Sequence, residues 1–214
     1  MNSIGFYKDK NGNLYVQDIK VSDLAQKYGT PLFIYDTGLM RERYNTFIDS
    51  ISRVKGNIHY AIKANDALGI ISYFANLGAG ADIVSIGEFK KCVAAGIKPE
   101  KIIFSGVGKE KYEIEFALKN NVQQFNIESD EELDDIQTIA SELKIVANIC
   151  LRVNPDISPD THKKISTGAK STKFGVDFKD ARNIYEKLHN LDYINPVGLA
   201  VHIGSQIFDF NYFL

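Results

Sequence analysis

From residue 37 onward, short apolar runs alternate with amphipathic stretches of helical length, and this restricts the fold more than any other feature of the chain. Apolar residues recur at helical spacing over 38–54, 67–77, 87–95, 110–119, 130–143 and 179–189. The fifth stretch is the clearest, with Leu133, Ile136, Ile139, Ala140 and Leu143 on one face and the Ser129/Glu132 spacing of a capping box. Between them stand the runs IHYAIK, ADIVS, KIIFSG, QFNIES, IVANICLRVN and VGLAVHIG, each short enough for a buried strand. Strands that alternate with helices predict βαβ units around a parallel sheet.

Two α/β architectures use such units, the open doubly wound sheet and the closed (β/α)8 barrel. Lys63, Asp82, Ser105, Glu128, Arg152 and His202 each fall at or near the C-terminal end of a different expected strand. An open sheet concentrates chemistry at one switch point, whereas a barrel gathers groups from many strand ends on one face, so the barrel is favoured. Such a barrel takes about 250 residues. Only six βα units are counted here before the 214-residue sequence ends in FDFNYFL, so the expected barrel is incomplete.

Residues 1–36 have another character. IGFYK and LYVQD flank Asn11-Gly12, a hairpin signal, because both residues tolerate positive φ. VSDLAQKYG reads as a short helix with Ser22 or Asp23 as cap and Gly29 as stop, and LFIYD after Pro31 reads as another strand. The expected organisation is a small β element over 1–36 attached to a larger barrel domain over 37–214.

Composition narrows the partners. Lys and Arg number 25 against 27 Asp and Glu, which offers neither a basic face for nucleic acid nor a polybasic membrane anchor. The start MNSIGFYKDKNG has no basic segment followed by an apolar core, and no run approaches the length of a membrane span, so a cytoplasmic protein with a small-molecule partner is expected. Cys92 and Cys150 lack the spacing of a disulfide framework or zinc knuckle and read as buried small hydrophobes.

Several motif-like stretches fail on spacing. SGVGKEK has Ile103 where a phosphate loop needs glycine, GAGAD would need a glycine at Ile83 to be a dinucleotide fingerprint, and IGSQI lacks the second glycine of a nucleophile elbow. All three read as loops. The four histidines show no helix-spaced metal pair, and no metal is expected; His59 and His189 read as structural or solvated. His202 differs, because it stands where an apolar strand meets a loop.

Lys63 closes the apolar run IHYAIK, and an ammonium in that setting must reach water or have a chemical partner. A lysine from one strand, a histidine face from another, and Gly204-Ser205 as backbone and hydroxyl donors together suit an aldehyde cofactor with a phosphate tail. Pyridoxal 5'-phosphate needs an amine for a Schiff base, a flat surface against its ring, and donors for its phosphate.

YAIKAN, GAGADIVSIGEF, IIFSGVGKEKYEIEFAL, FNIESDEEL, LRVNPDISPDTHKKISTGAKSTKFGVD and VHIGSQ, in this order, closely resemble the diaminopimelate decarboxylase family of fold-type III pyridoxal phosphate enzymes. The resemblance covers nearly the whole chain from residue 31 and implies decarboxylation of meso-2,6-diaminopimelate to L-lysine, the last step of lysine biosynthesis. It makes Lys63 the Schiff-base lysine and His202 the imidazole stacked on the cofactor ring, with Gly204 and Ser205 at the phosphate. Asp82 matches the acidic residue near that lysine and histidine, and Arg152 an arginine near the cofactor. A homodimer with a shared active site is also implied. The family's glycine-rich phosphate loop, its Glu-Pro-Gly-Arg segment and most of its β domain have no counterpart in this sequence, so the 214-residue chain alone is expected to be inactive. The alternatives are a related decarboxylase of ornithine, lysine or arginine, a racemase on the same fold, and a non-catalytic binding homologue.

Overall fold

The computed structural model describes the chain apart from residues 1–4, 158–173, 206, 208 and 214, so most of the THKKISTG…STKFG stretch lies outside the described residues. The chain divides into two compact units, Met1–Ile58 and His59–Leu214.

In the first unit, β1 (Phe6–Lys8) and β2 (Leu14–Val16) form the hairpin expected around Asn11-Gly12, and β3 (Ile19–Lys20) extends the antiparallel sheet. The Asp9 carboxylate accepts from the Asn11 and Asn13 amides, both at 2.8 Å, which closes the turn. Helix α1 (Val21–Tyr28) ends at Gly29 as expected, but it starts from Lys20 with no side-chain cap. Ser22 and Asp23 lie inside its first turn, where the Ser22 hydroxyl donates to Asp23 instead of capping the helix. LFIYD is not a strand. No strand lies beside it among the described residues, Phe33 is 83% exposed, and an apolar run without a neighbour has no ladder to join. It leads instead to Asp36, whose carboxylate accepts from the Gly38 and Leu39 amides at 2.7 and 3.1 Å and so caps α2 (Thr37–Ser50).

In the second unit, β4 (His59–Ala61), β5 (Gly80–Ile83), β6 (Ile102–Phe104), β7 (Gln124–Ile127), β8 (Ala147–Asn154) and β10 (Ile194–Ala200) form one sheet in chain order. Every neighbouring pair is parallel. A two-residue strand, β9 (Val176–Asp177), pairs with the end of β8. Helices α3 (Leu68–Leu77), α4 (Ile86–Ala94), α5 (Lys111–Lys119) and α6 (Asp130–Leu143) make the crossovers from β4 to β8, and α7 (Phe178–Leu188) precedes β10. Winding in one direction without a reversal is the barrel pattern. β4 and β10 have no pairing with each other among the described residues, so the sheet is an incomplete barrel.

The period-two alternation of each strand divides its side chains between two environments. Ala81, Ile83, Ile102, Phe104, Phe125, Ile127, Ile149 and Leu151 are fully buried and join the core that includes Ile71, Phe89, Ile114, Leu133 and Ile136 of the helices. Their alternates, Asp82, Ser105, Asn126 and Arg152, line a cavity. Both cysteines are buried, as expected, and burial with the nearby Glu88 charge pushes the Cys92 thiol up to about 12, which makes it inert.

Candidate active site

The cavity lies at the C-terminal ends of the strands, has a volume of about 470 Å³, and brings together Lys63, Asp82, Arg152 and His202. Ser105 and Asn126 complete its polar lining; Val84, Val107, Phe174, Ala200 and Val201 supply apolar wall. Gly204 and Ser205 follow His202 along the chain but are not among the residues that line this cavity.

Lys63 is carried by a 3-10 turn, Ile62–Ala64, because β4 stops at Ala61, two residues earlier than the apolar run suggested. The turn is held from several directions. The Tyr60 hydroxyl donates to the Asn65 carbonyl at 3.2 Å, the Tyr60 ring stacks on Phe74 with centroids 4.4 Å apart, and the Asn65 side chain accepts from the Ala67 amide at 3.0 Å. Ile62 roots the turn in the core. The Lys63 side chain is exposed, and no hydrogen bond or ion pair holds its amine among the described residues.

On β5 the Asp82 carboxylate accepts from the Ser105 hydroxyl, and Ser105 in turn accepts from the Asn126 amide at 2.8 Å. At the end of β7 the Glu128 carboxylate, with a side chain only 3% exposed, accepts from Arg152 at 2.7 Å through one oxygen and from the Gly175 amide at 3.1 Å through the other. The Arg152 guanidinium also lies 5.2 Å from the Phe174 ring centre, a cation–π distance. Gly175 has φ +75°, and a Cβ there would stand 3.0 Å from the Arg152 carbonyl oxygen, so glycine is required. Phe174 thus braces the Arg152 guanidinium directly, and Gly175 braces the Glu128 carboxylate that pairs with it.

The loop after β6 is tied down by Lys109. Its side chain is 1% exposed, and its amine donates to the carbonyls of Gly106 and Asn126 at 2.7 and 2.9 Å and pairs with Glu132. Reading SGVGKEK as a loop therefore holds, and its lysine is structural. Glu132 modifies the expected capping box: Ser129 accepts from the Glu132 amide at 3.2 Å, but the Glu132 carboxylate turns to Lys109 and the Glu128 amide instead of back to Ser129.

His202 is half-buried beyond β10. Burial lowers its pKa below the ordinary value of 6.5, the Arg152 and Lys63 charges lower it further, and Asp82 opposes them less strongly. A neutral imidazole at physiological pH follows. Asn126, Lys109 and Glu132 escaped the sequence reading as contributors. The alternation in QFNIES, which puts Asn126 and Glu128 on the same side, was the available signal.

A cavity offering a free amine, an uncharged imidazole and an arginine at the strand ends of a parallel, incomplete barrel places the protein in the α/β-barrel class and has the chemistry to receive a small anionic ligand. Residues 37–214 match the family described as pyridoxal-dependent decarboxylase, pyridoxal binding domain, and the chain belongs to that family. Within it, the chain is 44% identical over 203 residues to diaminopimelate decarboxylase of Zymomonas mobilis, covering 94% of this chain and 48% of that protein. The crystal structure of diaminopimelate decarboxylase from Helicobacter pylori complexed with L-lysine matches with a TM-score of 0.86 and 44% identity, over 89% of this chain and 48% of that one. Diaminopimelate decarboxylase from M. jannaschii in co-complex with L-lysine matches with a TM-score of 0.89 and 36% identity, over 98% of this chain and 50% of that one. The chain spans about half the length of the curated relatives it matches.

Proposed function

We propose that the protein decarboxylates meso-2,6-diaminopimelate to L-lysine with pyridoxal 5'-phosphate as cofactor. The observation that carries this is the meeting of Lys63 and His202 on one cavity in a chain 44% identical to a diaminopimelate decarboxylase that binds L-lysine. The donor set fits the cofactor at its ring end. Lys63 supplies an amine for the aldehyde, His202 a flat uncharged face, and a cavity of about 470 Å³ suits a single substituted ring. Gly204 and Ser205 are proposed as donors to the phosphate, and Arg152 and Asp82 as the charges beside the ring.

When bound, the cofactor accepts the electron pair left behind as CO₂ departs. The chain's own residues do the rest. Lys63 would hold the cofactor through its amine and, once released, could carry a proton at Nζ. His202 would offer a flat uncharged face to the cofactor ring and so fix its orientation in the cavity. Arg152, fixed by Glu128, presents positive charge to the cavity that it lines.

Residues 1–36 are proposed as part of a β domain, supported by their antiparallel sheet, and 37–214 as the cofactor domain, supported by the family match that begins at residue 37. A cytoplasmic homodimer with a shared active site is proposed on the family resemblance. Among the described residues no helix is long and apolar enough to cross a membrane.

The test uses the intact natural protein. Borohydride reduction with pyridoxal phosphate should fix the cofactor on Lys63, and Lys63→Ala should abolish both the adduct and the imine absorption band. CO₂ release should be fastest from diaminopimelate; preference for ornithine, arginine or lysine, or racemisation of alanine without CO₂, would refute the substrate assignment.

A further inference from the structure

Asp82 and Lys63 line the same cavity with opposite charges, yet they form no ion pair, and the Asp82 carboxylate is engaged by a neighbour on its other side. That neighbour belongs to a row of side chains from three adjacent strands. Gln124 donates to the Asn126 side-chain oxygen at 2.9 Å, Asn126 donates to Ser105 Oγ at 2.8 Å, and Ser105 donates to Asp82. An ionised carboxylate only accepts, so the single Ser105 proton must point to Asp82 and its lone pairs must take the Asn126 amide. The main chain that carries Asn126 is anchored as well, its backbone carbonyl accepting from the buried Lys109 amine at 2.9 Å.

We propose that Ser105 and Asn126 are positioning residues that hold the Asp82 carboxylate back from Lys63, so that the lysine amine stays available to the cofactor aldehyde instead of being clamped as an ion-paired ammonium. The proposal rests on the assignment of Lys63 as the attachment point. Attachment requires the neutral amine: its lone pair adds to the aldehyde carbon, a carbon–nitrogen double bond forms, and the two amine hydrogens leave with the aldehyde oxygen as water. An unrestrained carboxylate within about 4–6 Å favours the protonated amine by a factor of about tenfold or more. The other charged or titratable groups facing this space are the Arg152 guanidinium from β8 and the neutral His202 imidazole after β10; Glu128 is bound to Arg152, while β6 and β7 present the neutral Ser105 and Asn126.

The experiment follows the rate at which cofactor-stripped intact protein regains its imine absorbance after pyridoxal phosphate is added, from neutral to alkaline pH. Ser105→Ala should react about tenfold more slowly at neutral pH, with the deficit shrinking as pH rises. Ser105→Thr, which keeps the hydroxyl, should restore the parent rate, and Asn126→Ala should err in the same direction as Ser105→Ala if the latter folds poorly. In an Asp82→Asn background the Ser105→Ala deficit should vanish, which a merely structural role for the hydroxyl does not predict. A Ser105→Ala rate within twofold of the parent, or a deficit that persists with Asp82→Asn, overturns the tether while the Lys63 adduct stands. A parent adduct that maps to another residue overturns the tether and the function together.

Discussion

The imidazole of His202 stands among Arg152, Lys63 and Asp82, and burial with the two cations keeps its proton affinity low. An NMR titration of its ring protons should give a midpoint below the ordinary 6.5. Because the folded value is the lower one, the unfolded chain takes up this proton first as pH falls. The stability contributed by the neutral ring is complete above 6.5 and is lost as pH drops through the folded value. His202→Ala should keep the Lys63 adduct yet slow turnover on the order of 100-fold through loss of ring placement, and unchanged kinetics would remove that role. Glu128 presents a different energetic case. With Arg152 14% and Glu128 3% exposed at the side chain, the pair is desolvated, and removing one partner strands the other. Glu128→Ala should cost about 3–5 kcal/mol in denaturant unfolding, far more than an exposed pair would. Glu128 was visible in the sequence only as one strand-end residue among six; its two partners come from β8 and from Gly175, 47 positions away.

The helices from α3 to α7 lie within a few residues of where apolar periodicity put them, because each buries one stripe in the core beside the sheet and a stripe leaves a period of 3.6. Strands were equally legible where helices cover them. LFIYD misled because composition describes a strand's side chains and says nothing about whether a partner lies alongside. The Ser129 cap was legible, while the Glu132 carboxylate was drawn away by a buried ammonium that arrives from another loop. In the core, Phe104 and Phe125 are fully buried on adjacent strands and stack with centroids 5.9 Å apart. Phe104→Ala should cost about 3–5 kcal/mol, measured by urea unfolding, since neighbouring strands cannot close the cavity it leaves.

The second unit ends in two unpaired edges among the described residues, β4 and β10, and Leu199 and Val201 of the β10 segment are 61% and 59% exposed. Such an edge with an uncovered apolar face recruits further strands. The 214-residue chain expressed alone should self-associate in a concentration-dependent way by light scattering, whereas a monodisperse monomer would show the edges to be silent. The amino-acid sequence by itself determined the βα alternation, the strand-end placement of Lys63, Asp82, Arg152 and His202, and the family, because periodicity and short motifs are local properties of the chain. Tertiary structure alone decided which group answers which charge: Glu128 for Arg152, Glu132 for Lys109, and the Ser105 hydroxyl for Asp82. Charge pairing depends on ångström distances across strands, and no spacing along a chain encodes those.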